Sequence, residues 1–189
     1  MSIKKTREPT SEPLTLDEVK LHLSELADDK DALIRSLIIA AREHCEAAVQ
    51  RCFVTRRLRL YLDGFVGSIK LPYPPVISVE SVTYLNRDGA EQVIESADYR
   101  VDAFAEPGRL TPAYDAAWPS TRSVNNAVWI DYTAGYGSRK QVPRAIKQAI
   151  LLLIGHWYEN RESTLRGVTI SAIPMGVDAL LQPYRIIAI

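Results

Sequence analysis

The spacing of apolar residues changes period twice along the chain: residues 14–51 follow a three-and-four repeat, residues 54–134 alternate in twos, and residues 142–160 return to the helical repeat. The last stretch, VPRAIKQAILLLIGHWYEN from Val142 to Asn160, is the longest strongly apolar segment and predicts the main packing surface. Pro143 suits the first turn of a helix, where a missing N–H costs nothing. Ile146, Ala149, Ile150, Leu153 and Trp157 fall on one face, and Leu151, Leu152, Ile154 and Tyr158 widen the apolar arc beyond a single stripe. Arg144, Lys147, Gln148 and Glu159 remain as the wet side. An arc this broad packs against two surfaces, its own sheet and a second that is either another layer of the same domain or a neighbouring subunit. The run is too short and too close to charge to span a bilayer.

The earlier helical stretch divides in two. Thr15 caps a helix over 16–26, with Glu18 as the reciprocating third residue and Leu14 set to staple against Val19. Asp28, Asp29, Lys30 and Asp31 then supply a loop and the negative charge favoured at a helix start. A second helix over 31–51 follows from Ile34, Leu37, Ile38, Ala41, Cys45 and Ala48. Past Cys52, Val54, Leu58, Leu60 and Leu62 alternate with Thr55, Arg57, Arg59 and Tyr61, the signature of a half-buried strand. Further strands are predicted at Ile69 to Leu71, Val76 to Leu85, Gln92 to Ile94, Tyr99 to Asp102, Arg109 to Thr111 and Val128 to Ala134. Pro72, Pro74 and Pro75 make a connector that cannot join a ladder, and Asn86 to Gly89 reads as a tight hairpin turn. After the apolar helix come a polar loop over 161–169, a short helix over 177–181 ended by Pro183, and an apolar tail over 186–189 that either folds back on the core or docks on a partner. Helices flanking a run of short strands predict an α+β domain with an antiparallel sheet.

Length bounds this to one domain, since 189 residues can bury about 70% of the unfolded surface. With 23 basic and 23 acidic side chains, the electrostatic signature of a dedicated nucleic-acid binder is missing. Cys45 and Cys52 would lie about 10 Å apart on an unbroken helix, beyond disulfide reach, which points to a reducing compartment. The first 13 residues, MSIKKTREPTSEP, have no apolar segment of the secretory kind and predict a flexible arm, or one ordered by a partner.

The catalytic inventory is thin. His22, His44 and His156 have no second His or Cys at helical metal-site spacing, and His44 and Cys45 turn onto different faces, so no metal or other cofactor is expected. His156 beside Glu159 and Glu162 reads as a surface group, and Gly135-x-Gly137 as a turn, because the rest of a phosphate-binding fingerprint is missing. No nucleophile elbow or activated cysteine is found, so the chain is not expected to be an enzyme. Arg51, Arg56, Arg57 and Arg59 form a basic stretch with two readings, a solvated strand face or a contact with phosphate or an acidic partner; Arg56, Arg57 and Arg59 are the candidate phosphate contacts.

Several stretches, taken together, resemble a known family: LTLDEVKLHL, LPYPPVISVESVTYLNRDG, ADYRVD with EPGRLTP, NAVWIDYTAGYG, VPRAIKQAILLLIGHWYENRES and GVDALLQPYR. In this order and spacing, over Leu14 to Arg185, they resemble the head-tail connector (adaptor) proteins of long-tailed bacteriophages and prophages, a group also linked with DNA packaging. The resemblance implies a predominantly helical domain whose helices pack on a small antiparallel β part, with no catalytic residues. It implies a virion structural protein, present in the host cytoplasm during assembly, that forms a ring with copies of itself and docks beneath the portal protein. Such a ring extends the channel through which DNA passes without sequence recognition, and it receives a downstream connector, stopper or tail-completion protein. The broad apolar arc and the tail then become candidate oligomer or partner contacts: Leu151, Ile154, Trp157, Tyr158, Arg161, Leu181, Tyr184, Ile186, Ile187 and Ile189. Residues 24–31 and the arm depart from the family pattern, so the resemblance assigns no contact there. The alternative is a packaging-associated binding module that acts on DNA or the packaging motor and leaves before the particle matures.

Overall fold

In a computed structural model of the chain, which describes residues 1–25, 27–160 and 175–186, the elements run in the order β1 (Ser2–Arg7), α1 (Leu16–Leu23), α2 (Asp31–Val49), β2 (Arg56–Leu62), β3 (Ile69–Leu71), β4 (Val76–Leu85), β5 (Glu91–Val93), β6 (Tyr99–Asp102), β7 (Gly108–Pro112), β8 (Val128–Ala134), α3 (Arg144–Glu159) and α4 (Met175–Leu181). Contacts gather into two units: a sheet unit of Met1–Thr10 with Thr55–Tyr136, and a helical unit of Ser11–Val54 with Gly137–Ile189.

The sheet unit holds a five-stranded sheet in the order β1-β2-β8-β4-β5 and a three-stranded sheet in the order β3-β7-β6, with every pairing antiparallel. The central strand β8 shows why the alternation forms a sheet: Val128, Ile130, Tyr132 and Ala134 are buried, while Trp129, Asp131 and Thr133 face the other side. Ile130 lies opposite Leu60 on one flank and Val82 on the other, so three strands place apolar side chains in one row. The connector carbonyl of Pro72, unable to enter a ladder, accepts a 2.7 Å bond from the Tyr132 hydroxyl. At the β4–β5 turn, Asn86 Oδ1 accepts from the backbone N–H groups of Asp88 and Ala90, and Gly89 takes the positive φ of 88° that the reversal requires. Gly108 has a different reason, since a Cβ there would lie 2.6 Å from the Val76 side chain.

The expectation of a predominantly helical chain with a small β part is corrected here. Among the described residues there are eight strands in two sheets, so strand structure stands beside the helices as a principal component. The helical weighting came from the resemblance: the sequence marks seven of the eight strands, but those of three to five residues look minor one by one, and only their pairing into two sheets gives them weight. The first strand alone escaped notice. Ser2–Arg7, SIKKTR, expected as part of a flexible arm, pairs with β2 from Ser2 opposite Tyr61 to Arg7 opposite Arg57. It is an exposed edge strand, and its lysines suit an edge that must not recruit further strands.

In the helical unit, α1 starts at the capping box that the sequence suggests: Thr15 Oγ1 accepts from Glu18 N at 3.0 Å, and Glu18 Oε2 accepts from Thr15 N at 2.6 Å. Lys20 near the end of α1 reaches Asp28 at 2.6 Å and Asp31 at 2.9 Å, which ties the acidic run back to the first helix. α3 buries Ile146, Ala149, Ile150, Leu153 and Ile154 against α1, α2 and α4.

The face of α2 that carries Ile34, Ile38, Ala41, Cys45 and Val49 also buries Arg42 and Glu46. Arg42 Nε donates to Glu12 at 2.7 Å and Nη1 to Glu46 at 2.9 Å, while the other Glu46 oxygen accepts from Phe53 N at 2.7 Å. Burial opposes the Arg42 charge, but the hydrogen bonds and charges of Glu12 and Glu46 outweigh it and raise its pKa. One guanidinium therefore fixes the segment before α1, the middle of α2 and the chain leaving α2.

Because removing one member of a buried ion pair strands the other, Arg42→Ala is expected to cost about 3–5 kcal/mol, read as a shift in the urea midpoint, against well under 1 kcal/mol for the exposed Arg57→Ala. A second expectation concerns pH. Partial burial works against ionisation of Glu18, but bonds from Thr15 and the charges of Lys147 and Arg139 outweigh it and hold its carboxyl below the ordinary value of 4.5. A folded pKa below the unfolded one adds stability that is complete above pH 4.5 and is lost as pH falls through the folded value. The stability gap between the native chain and Glu18→Ala should therefore be steady from pH 5 to 7 and narrow below pH 4.5, as measured by denaturant titration.

Candidate assembly interfaces

The helical candidates divide three ways. Ile154 and Leu181 are buried within the helical unit, at 0% and 2% exposure, so these two are corrected from interface contacts to core residues. The helical repeat places a residue on a face but does not say whether its own chain covers that face. Leu151, Trp157, Tyr158, Tyr184 and Ile186 are half-buried, while Arg161, Ile187 and Ile189 lie outside the described residues.

The half-buried aromatics are already engaged. Trp157 packs edge-on to His44 with ring centres 5.9 Å apart. The Tyr158 hydroxyl donates to Glu25, and Lys30 sits 5.6 Å above the Tyr158 ring while pairing with Glu25 at 2.7 Å. Hydrogen bonding to Glu25, followed by bonding to Tyr158, raises the Lys30 pKa. The tail folds back as far as Ile186: Ile186 N donates to Val49 O at 3.0 Å, and Arg51 Nε donates to the Tyr184 carbonyl. Together these contacts close the C-terminal end of α2, whose Gln50 cap is left-handed at φ 58°.

The three candidate phosphate contacts lie on one strand but not on one face. Arg56 is on the buried side of β2 with Leu58 and Leu60, whereas Arg57 and Arg59 point to the other side. Arg59 is held in a fork by Asp131, Nε to Oδ1 at 2.7 Å and Nη2 to Oδ2 at 2.8 Å, and this bond chiefly raises its pKa. Of the three, Arg57 alone is exposed. Beside it, Thr6, Arg7, Glu80, Ser81 and Asp131 help line a polar hollow of about 470 Å³ on the open sheet face. Within it Arg59 is paired with Asp131, and Glu80 accepts from the Thr133 hydroxyl at 2.6 Å and the Ser78 hydroxyl at 2.7 Å.

Sequence reading missed the apolar surface of the sheet unit. Phe104 is 100% exposed at the β6–β7 tip, Tyr114 is 88% exposed beyond β7, and Val93 is 63% exposed on β5. Near Val93, Phe65 stacks on Trp118 with centres 4.8 Å apart and planes 9° apart, and meets Tyr84 edge-on at 5.7 Å. The sequence did carry a signal for Phe104: a large aromatic in the turn just before Glu106-Pro107-Gly108 has no strand or helix neighbours to cover it.

Cys45 and Cys52 are both buried and unlinked. Burial chiefly, with Glu46 and Asp178 adding, pushes the Cys45 thiol up to about 12. Among the described residues, no cluster of three or more His, Cys, Asp and Glu is arranged to hold a metal, and no helix is long and apolar enough to cross a membrane.

The described candidates thus come down to ionic groups that fasten elements of the chain to each other and a few aromatic side chains turned outward. The chain belongs to the head completion protein family, whose model matches residues 12–187. Three solved structures are similar along 100% of this chain and 97% of theirs: the neck of an empty gene transfer agent particle computed with six-fold symmetry (26% identity, TM-score 0.82), the virion of a native gene transfer agent particle (27%, 0.80) and the neck of a native particle computed with twelve-fold symmetry (26%, 0.77). None of the curated proteins matches.

A thiol with a pKa near 12 stays protonated at pH 8, so iodoacetamide should leave Cys45 unmodified in the native chain and alkylate it after guanidinium unfolding, as read by peptide mass spectrometry.

Proposed function

We propose that this chain is a non-enzymatic virion subunit that forms a ring at the head-tail interface, docks below the portal and receives the next tail-side protein. The observation that carries this reading is the end-to-end likeness to proteins of gene transfer agent particles, two of them from necks, together with membership of the head completion family. Family and neighbours agree on a structural part of the particle. The sites support it through what they spend: Arg42, Arg59, Glu46 and Asp131 hold elements in place. A subunit under mechanical load in a particle needs that internal fastening more than it needs a reactive cleft.

The half-buried Leu151, Trp157, Tyr184 and Ile186 remain the helical unit's proposed contacts for portal or neighbouring copies, because each keeps some apolar surface in water. DNA passes such a ring without sequence recognition. A channel wall should not grip phosphate, which fits a chain of zero formal net charge whose Arg59 is neutralised by Asp131. The packaging-module alternative loses most of its support at β2, where Arg57 is the one exposed arginine of the three.

The test is particle assembly without this chain. Heads should fill with DNA but fail to join tails, and electron microscopy should show full or leaking tailless heads that recover when purified chain is added. Empty heads that never package, with the chain absent from finished native particles, would establish the packaging-module reading instead. Arg57→Ser should leave DNA retention unchanged.

A further inference from the structure

We propose that the β6–β7 hairpin of one copy inserts Phe104 into an aromatic pocket at the base of the same hairpin in the next copy. This rests on the ring reading above and names the contact that would propagate the ring.

The protruding end is preorganised. Beyond the last hairpin pair, Asp102 opposite Arg109, Asp102 Oδ1 accepts from the backbone N–H groups of Phe104 and Ala105, each at 3.1 Å. The turn is thus held by its own first residue, and little ordering is needed when it docks. Phe104 nevertheless stands 100% in solvent, where a phenyl ring gains nothing.

The receiving end lies where the hairpin begins, at the pair Tyr99 opposite Pro112, with Ala113 N donating to Asp98 O at 2.9 Å. Tyr84, Val93, Ile94, Trp118 and Pro119 form the apolar side of a half-open hollow of about 370 Å³ there, whose polar edge carries Glu95 and Asp98. A dry cavity of about 150 Å³ admits benzene, so this one has room for a phenyl ring and part of its turn. Its walls are fixed in advance by the stacking of Phe65 on Trp118, while Val93 leaves an apolar rim 63% exposed.

Tip and pocket belong to one unit and sit at opposite ends of a ladder about 13 Å long. A knob at one end and a hole at the other make a head-to-tail contact, which repeats from copy to copy and closes where the rotation allows. This favours a second copy over an unrelated partner as the occupant. The similar neck structures were computed with six-fold and twelve-fold symmetry, the kind of rotation under which a head-to-tail contact closes.

The experiment uses particles assembled with the full chain carrying Ala105→Cys and Val93→Cys, which leaves Phe104 in place. The native cysteines are buried, so a short bis-maleimide linker reads the introduced pair. The expected result is a ladder of linked multimers above the dimer on a denaturing gel, absent from either single variant. Phe104→Asp should separately lower the copies per particle at least several-fold without moving the thermal midpoint of the isolated chain. Particles that hold the doubly substituted chain yet give monomer alone, or linkage to a different virion protein, would overturn the contact and leave the ring reading standing. Absence of the native chain from particles would overturn the ring reading itself.

Discussion

A single buried cation sets the geometry of the helical unit. Arg42 is 1% exposed, so its charge is tolerable only while Glu12 and Glu46 stay in place. Glu12 precedes α1, and Glu46 also receives Phe53 N from the chain leaving α2. The segment before α1 must therefore meet the guanidinium on α2, and the chain leaving α2 must meet its Glu46 partner, or an unpaired charge is left in an apolar interior. The surrounding aliphatic contacts would tolerate a shift by a few tenths of an ångström better than would the charge-assisted bonds at 2.7 and 2.9 Å.

The sheet unit uses a related device on its open face. Arg59 and Asp131 join neighbouring strands across the register in which they lie directly opposite, and Ser81 on the next strand donates to the same carboxylate at 3.3 Å. A one-residue slip would part this pair and also turn Leu60 and Ile130 out of the core, so polar and apolar faces enforce the same register. Beside these internal pairs the sheet unit leaves a few large apolar groups in solvent, Phe104, Tyr114 and Val93 among them. Exposed aromatic groups are enriched where proteins join, which accords with membership of the head completion family.

Much of this could be read from the chain, but unevenly. The capping box at Thr15 and Glu18 was legible because its residues are three apart. The alternation of β8 was legible because seven residues give several repeats. β1 was not, since SIKKTR has a single large apolar residue and its place in the sheet is decided by a partner strand more than fifty residues away. Arg42 and Glu46 drew no notice in the sequence, because a periodicity argument picks out apolar positions and cannot see a buried ion pair. The same blindness placed Ile154 and Leu181 at an interface and treated Arg56, Arg57 and Arg59 as one patch.

Sequence by itself determined the local conformations and the kind of protein. Helix starts, turn glycines and strand alternation act over a few residues, and a collinear set of such segments marks a family. Tertiary structure alone decided which charges are spent and which apolar groups are left over. Whether Arg59 is free or forked, whether Ile154 meets water, and whether Phe104 finds a cover within its own chain each depend on groups brought together from distant positions. Such contacts are set by packing and register, and no local spacing encodes them.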